Sequence, residues 1–168
     1  MLKWIIVLSV FGINLTIDQV SKSLARLHLE YLVSTSYFSD FLRIIYVENT
    51  GVALSFGSDW SPMVRFLLFN VLVLIILIVL IVYLIRTFHE QTTLKLIAFS
   101  LILSGGVGNL IDRFMREGAV TDFLNVGFGT FRTAIFNWAD FCVTTGLLIL
   151  LALSIIETIR LRRQENPA

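Results

Sequence analysis

The chain has 168 residues, of which 57% are hydrophobic and 15% charged, and its formal net charge is +1. A soluble domain usually carries about 25% charged residues, so this chain has too little polar surface to stay dissolved as a globule, and its length fits one domain. Near-neutral charge leaves no basic footprint for nucleic acid, and one cysteine, Cys142, with two histidines, His28 and His89, gives no internal disulfide and no Cys/His metal cluster.

The first apolar stretch runs from Trp4 to Ile17, and the segment Asp18–Leu27 extends the same helix to the interface. Lys3 ahead of an apolar run also fits a cleaved signal peptide, but Ile17-Asp18-Gln19 offers no small-residue cleavage site, so an uncleaved first span is expected. The connection Leu29–Ser61 is too apolar for a solvated linker. Within it Phe41–Val47 is β-branched and aromatic and reads as a strand, Asn49-Thr50-Gly51 reads as a turn, and residues 29–61 are expected to form a small platform on the membrane surface.

Phe66–Ile85 is about 20 residues long with Asn70 as its polar interruption, the length that crosses a hydrocarbon core. A short polar connection, Arg86–Thr93, leads to a third apolar stretch, Leu94–Ile111. A longer connection, Arg116–Phe136, contains Gly118, Gly127 and Gly129, and Asp122 reads as a loop residue within it. The fourth stretch runs from Ala134 to Ile156. In lipid a backbone must satisfy its own hydrogen bonds, so these stretches read as helices, with spans over 4–24, 64–86, 94–114 and 136–158. Cys142 lies inside the fourth apolar run and reads as a buried small side chain. With the N-terminus in the cytoplasm, six basic residues fall inside and seven outside. The compact Arg160–Arg163 cluster favours cytoplasmic termini, although the count alone gives no bias.

Four spans place the end of span one, the first connection, the end of span three, the third connection and the start of span four on one membrane face, whatever the orientation. The unusual polar residues occupy those five places: Asp18 and Lys22; Asn49 and Gly51; Asn109, Asp112 and Arg113; Asp122; Asn137 and Asp140. Polar groups at membrane depth are costly and mark function by default. Asp18 and Lys22 stand at i and i+4 with the acid first, the better order for a pair. Asn109, Asp112 and Arg113 share a helix face, as do Asn137 and Asp140, and Gly105, Gly106 and Gly108 let span three approach a neighbour closely. Each feature has an ordinary explanation when taken alone, such as an interfacial ion pair, helix packing, a loop acid or a cap. Their gathering on one face is what a single site would produce.

Asp122 and Asp140 flank the start of span four. Two acids sharing a site cannot both ionise easily, so one keeps a proton. The ionised acid can then take a proton from water while the protonated one polarises a carbonyl, the aspartic-protease pattern. A proton-relay protein using Asp18, Asp112, Asp122 and Asp140 would spread its acids through the membrane depth. A noncatalytic assembly subunit would not need two acids flanking span four, and intramembrane aspartic peptidases of other kinds hold both acids within helices.

The blocks Asp18-Gln-Val-Ser-Lys22, Asn49-Thr-Gly-Val-Ala53, Gly105-Gly-Val-Gly-Asn-Leu-Ile-Asp-Arg113, Val120-Thr-Asp-Phe123 and Phe136-Asn-Trp-Ala-Asp140 resemble, in order and spacing, the five motif blocks of bacterial lipoprotein signal peptidase, signal peptidase II. The resemblance covers essentially the whole chain. It implies a bacterial inner-membrane enzyme, without metal or other cofactor, that cuts prolipoproteins on the N-terminal side of a diacylglyceryl-modified cysteine. It further implies a four-helix membrane fold with a periplasmic β-cradle and a short periplasmic helix, and a catalytic dyad of Asp122 and Asp140 at the periplasmic face. Asp18, Lys22, Asn49, Asn109, Arg113 and Asn137 support that site, and Gly51, Gly108 and Ala139, from the same blocks, join them. Prolipoprotein and membrane lipid are the expected partners, and the chain is expected to be a monomer. Val52, Leu54, Thr121 and Trp138 depart from the family pattern and bear on pocket shape and substrate preference.

Overall fold

The computed structural model describes residues 1–51 and 57–165. Along the chain lie α1 (Leu2–His28), β1 (Ser34–Tyr37), β2 (Leu42–Asn49), α2 (Pro62–Phe66), a π-helical turn (Leu67–Val71), α3 (Leu72–Thr87), α4 (Thr93–Met115), β3 (Val120–Phe128), β4 (Phe131–Arg132) and α5 (Trp138–Glu165). The protein is therefore mostly helical, with one small sheet. Four helical segments are long and apolar enough to cross a membrane: Leu2–His28, Pro62–Thr87, Thr93–Met115 and Trp138–Arg162. Leu, Ile and Val side chains such as Ile75, Ile78, Val79, Leu148 and Leu151 stand more than half exposed around this bundle, as a hydrocarbon solvent requires.

The third span is the central one, with half of its most apolar window buried against 11–22% for the others. Its glycines set how closely the neighbours lie. A Cβ at Gly105 would strike the Ala139 carbonyl, and one at Gly106 would lie 2.6 Å from Leu77. From the other side, Gly146 of α5 meets the Ala98 carbonyl, 2.6 Å from where its Cβ would sit. These small residues let backbones pack directly, the usual means of joining helices in lipid.

Along the bundle, Val7, Leu77, Leu84, Phe88, Leu96, Phe99, Leu103 and Leu110 form an apolar core. Trp4 stacks on Phe88 at 3.9 Å. Lys3 Nζ donates to the Gln91 carbonyl at 2.8 Å, tying α1 to the turn between spans two and three. The Thr92 hydroxyl caps α4 by accepting from the Lys95 amide, and Ser61 caps α2 with Pro62 at the first helical position, where proline's missing N–H costs nothing.

At the bundle end opposite the N-terminus the four strands form an antiparallel sheet in the order β1-β2-β3-β4. The platform expected from residues 29–61 contains only half of this sheet. The other half comes from the third connection, where Asp122 lies in a strand opposite Val47 rather than in a loop. Val120-Thr-Asp-Phe-Leu-Asn-Val126 carries the β-branched and apolar residues of a strand, but its two acceptor-rich polar positions and flanking glycines mask the alternation. The hairpin tips meet through Phe41 and Phe128, 5.0 Å apart, and Asp40 accepts from Arg43. Two hydrogen bonds from Arg43 and one from Ser36 hold the half-buried Asp40 carboxyl well below the usual carboxylate range. Among the described residues the platform has no helix of its own between β2 and α2, and Val52 and Leu54 lie outside the described residues.

Candidate active site

The site forms where the sheet meets the ends of spans one and three and the start of span four. Antiparallel pairing of β2 with β3 sets Asn49 opposite Val120 and Val47 opposite Asp122. From this position the Asn49 amide donates to Asp122 Oδ2 at 3.0 Å. Asn49 Oδ1 accepts from the Gly51 amide at 2.9 Å, a side-chain turn that fixes the Asn49 rotamer and gives buried Gly51 its place.

Span four begins with a reciprocal cap. The Asp140 amide donates to Asn137 Oδ1 at 2.9 Å, and the Asn137 amide donates to Asp140 Oδ2 at 3.1 Å. This is the capping-box arrangement, with asparagine as the cap and aspartate three residues on. It explains the Asn137/Asp140 spacing seen in the sequence. The fully buried Asn137 also donates its Nδ2 to Asp122 Oδ1 at 2.7 Å. One asparagine therefore binds both carboxyl groups, that of Asp122 through its side-chain amide and that of Asp140 through its backbone N–H.

Asn109 completes the link from span three. Its Nδ2 donates to Asp140 Oδ1 at 2.8 Å, and its Oδ1 accepts from Lys22 at 2.9 Å and from Asn137 at 3.2 Å. All four oxygens of Asp122 and Asp140 thus accept an N–H, which fixes the direction of both carboxyl groups. Asp122 is 3% exposed. Burial first, and the nearby Asp140 charge second, push its carboxyl up to about 7, against the opposing hydrogen bonds from Asn49 and Asn137. A carboxyl raised in this way keeps its proton well above the usual carboxylate range.

Beneath the two acids lies a buried ionic layer. Lys22 has no exposed side-chain surface and meets Asp18 Oδ2 at 2.9 Å and Asp112 Oδ2 at 3.2 Å. With Asn109 as third acceptor its three ammonium protons are all used. Asp18 reaches across to span four and accepts the Ala139 amide at 2.9 Å, a second carboxylate at that helix's N-terminus, where the helix dipole favours negative charge. A Cβ on Gly108 would lie 2.5 Å from Asp18 Oδ2, so glycine there leaves room for the carboxylate. Ala139, wholly buried, fits between Gly105 and Gly108 of α4.

Arg113 is set apart from this layer. It is 8% exposed, lies 5.9 Å over the Phe69 ring, and faces a cavity between spans two and three. Asp112, outside the supporting set expected from the sequence, joins the parts of this layer. It pairs with Lys22, accepts the Thr121 amide at 3.1 Å and lies 3.8 Å from Arg26. Its place between Asn109 and Arg113, three residues along one helix face, was the available signal. Thr121 is wholly buried and its hydroxyl accepts from Arg26 at 3.0 Å, so its departure from the family pattern serves the ion layer rather than pocket shape. Trp138 likewise turns away, donating to Asn14 of α1 at 3.2 Å.

A multi-pass membrane protein with a strand-borne acid and a helix-borne acid joined by one asparagine is the class that fold and site define. The chain belongs to the signal peptidase II family: the profile of signal peptidase (SPase) II matches residues 10–156, and the chain is accordingly a peptidase. It is 42% identical over 140 residues to the lipoprotein signal peptidase of Borrelia turicatae, covering 79% of each chain. It is 38% identical over 142 residues to that of Borreliella burgdorferi, covering 80% of each. A solved structure described as a bacterial membrane enzyme, obtained by the in meso method, superposes with a TM-score of 0.77 at 26% identity, over 90% of this chain and 88% of the other.

Proposed function

We propose that this protein is an aspartic endopeptidase that removes the signal peptide from prolipoproteins, cutting on the N-terminal side of a diacylglyceryl-modified cysteine. The carrying observation is Asn137, hydrogen-bonded to both Asp122 and Asp140, because a shared asparagine gives two acids a fixed common geometry. In this reading Asp122 holds the proton and polarises the scissile carbonyl, in keeping with a carboxyl pushed up to about 7. Asp140 takes a proton from the attacking water. The tetrahedral intermediate collapses when the leaving amide nitrogen receives a proton, and the two acids exchange roles in returning to the start. No metal or other cofactor enters these steps.

Asn49, Asn109 and Asn137 orient the acids. Asp18, Lys22, Gly108 and Ala139 hold span four against spans one and three. Gly51 fixes Asn49, and Arg113 lines the neighbouring cavity between spans two and three. The whole chain acts as one membrane unit, a monomer in the bacterial inner membrane with both termini in the cytoplasm and the dyad at the periplasmic face. There a membrane-embedded signal peptide can be unwound and exposed to water while its acyl chains stay in lipid. The four acids gathered at one end of the bundle speak against a proton relay, which needs acids through the membrane depth.

The test is cleavage of a diacylglyceryl-modified prolipoprotein by the purified protein in detergent. Asp122→Asn and Asp140→Asn should each abolish cleavage while leaving the protein folded. Full activity in either variant would reject the dyad.

A further inference from the structure

A cavity of about 320 Å³ opens between the start of span two and the end of span three, on the same membrane face as the site. Its walls include Pro62, Arg65, Phe69, Asn70, Arg113 and Glu117. Three buried polar atoms there have no hydrogen-bond partner: Nε of Arg65, Nε of Arg113 and Oδ1 of Asn70. Neither guanidinium forms an ion pair among the described residues. Asn70 is 4% exposed and Arg113 8%, so little water is available to either, and buried polar groups left alone are costly enough to be rare.

The local backbone explains how these groups converge. Residues Leu67–Val71 form a π-helical turn, and such single-turn widenings concentrate at functional sites. The turn directs Phe69 and Asn70 inward, both buried. Phe69 lies beneath the Arg113 guanidinium and contributes apolar surface beside the cationic groups. Pro62 begins span two and Met115 ends span three, so the cavity opens at the ends of both spans and reaches inward to Phe69 and Asn70.

We propose that this cavity binds the phosphodiester headgroup of an anionic membrane lipid. Two guanidinium groups supply charge-assisted donors for phosphate oxygens, the chemistry for which arginine is favoured. Asn70 Oδ1 accepts from a hydroxyl on the headgroup, as a glycerol headgroup offers. Phe66, Phe69 and Pro62 contact the glycerol backbone and the first acyl carbons. Peptide cleavage is not required for this binding.

The experiment uses the full chain, delipidated in detergent, with lipid retention read by native mass spectrometry. The probes are phosphatidylglycerol, phosphatidylcholine and inorganic phosphate. Wild type should retain phosphatidylglycerol about tenfold better than phosphatidylcholine. Arg65→Gln should weaken that retention about tenfold, and Asn70→Leu should weaken it as well. Arg43→Gln, on the sheet, should not, and neither should Asp122→Asn, which separates lipid binding from the dyad. Equal retention of phosphatidylglycerol by wild type, Arg65→Gln and Asn70→Leu would overturn the proposal. Displacement of phosphatidylglycerol by millimolar inorganic phosphate would overturn the lipid assignment in favour of a soluble phosphate ligand.

Discussion

Replacing Lys22 by methionine, which keeps the length of the side chain and removes its charge, tests the ionic layer under the two acids. Lys22 is 0% exposed, and its partners Asp18 and Asp112 are 1% and 2% exposed. The substitution takes the counter-charge from two buried carboxylates and leaves Asn109 Oδ1 with Asn137 as its donor. Breaking a buried ion pair by removing one partner costs about 3–5 kcal/mol. For a chain of this length each kcal/mol lowers the melting temperature by about 2–4 °C, so a fall of about 6–20 °C is expected in thermal unfolding followed by tryptophan fluorescence in detergent. Adding Asp18→Asn should recover more than half of that loss. The asparagine still accepts the Ala139 amide through Oδ1, and Asp112 keeps Arg26 at 3.8 Å. A fall under about 2 °C for Lys22→Met, or strictly additive losses in the double variant, would refute the view of Lys22 as counter-charge to both acids.

Asp122 predicts an alkaline limit on the reaction. Its carboxyl, raised to about 7, loses its proton above that pH, so kcat/KM should fall as pH rises through about 7; a flat profile to pH 9 would remove Asp122 as the acid. The same raised value is a stability statement. The native state holds this proton more tightly than the unfolded chain, so the contribution is fully present below pH 3.8 and is lost as pH rises through about 7. Asp122→Asn should therefore flatten the stability profile between pH 4 and 8, measured by thermal unfolding. Gly108→Ala should displace the Asp18 carboxylate, with a loss of about 1–3 kcal/mol from overpacking and a lower cleavage rate; unchanged melting and rate would show that the helices yield there. Asn137→Leu removes the cap and the bond to Asp122 together, costs about 1–2 kcal/mol from the cap alone, and should reduce cleavage far more than it reduces folding, which parallel melting and rate measurements would separate.

The helices were legible because lipid imposes length and apolar composition on any segment that crosses it, and the gathering of Asp18, Lys22, Asn109, Asp122, Asn137 and Asp140 followed from span parity alone. The second half of the sheet was less visible. Strand β3 must serve the site and the ion layer on alternate residues, so Thr121 and Asp122 interrupt the apolar pattern that marks a strand. Asp112 was visible as a polar residue on the right helix face, but nothing in the linear sequence tells that its carboxylate, rather than that of Asp18 alone, completes the lysine's surroundings. The Arg65–Arg113 cavity depends on a π turn, and no periodicity in an apolar run of Leu, Phe and Val announces one.

The sheet takes β1 and β2 from one crossing of the bundle and β3 and β4 from another. Neither connection is a module that can be lifted out and transplanted. A chain severed at residues 88–92, on the far side of the bundle, would yield a front half bearing Asp18, Lys22 and Asn49 and a rear half bearing Asn109, Asp122 and Asp140. Each fragment would own an unpaired strand edge that only the other can cover, so two separately expressed pieces have a built-in address for finding one another.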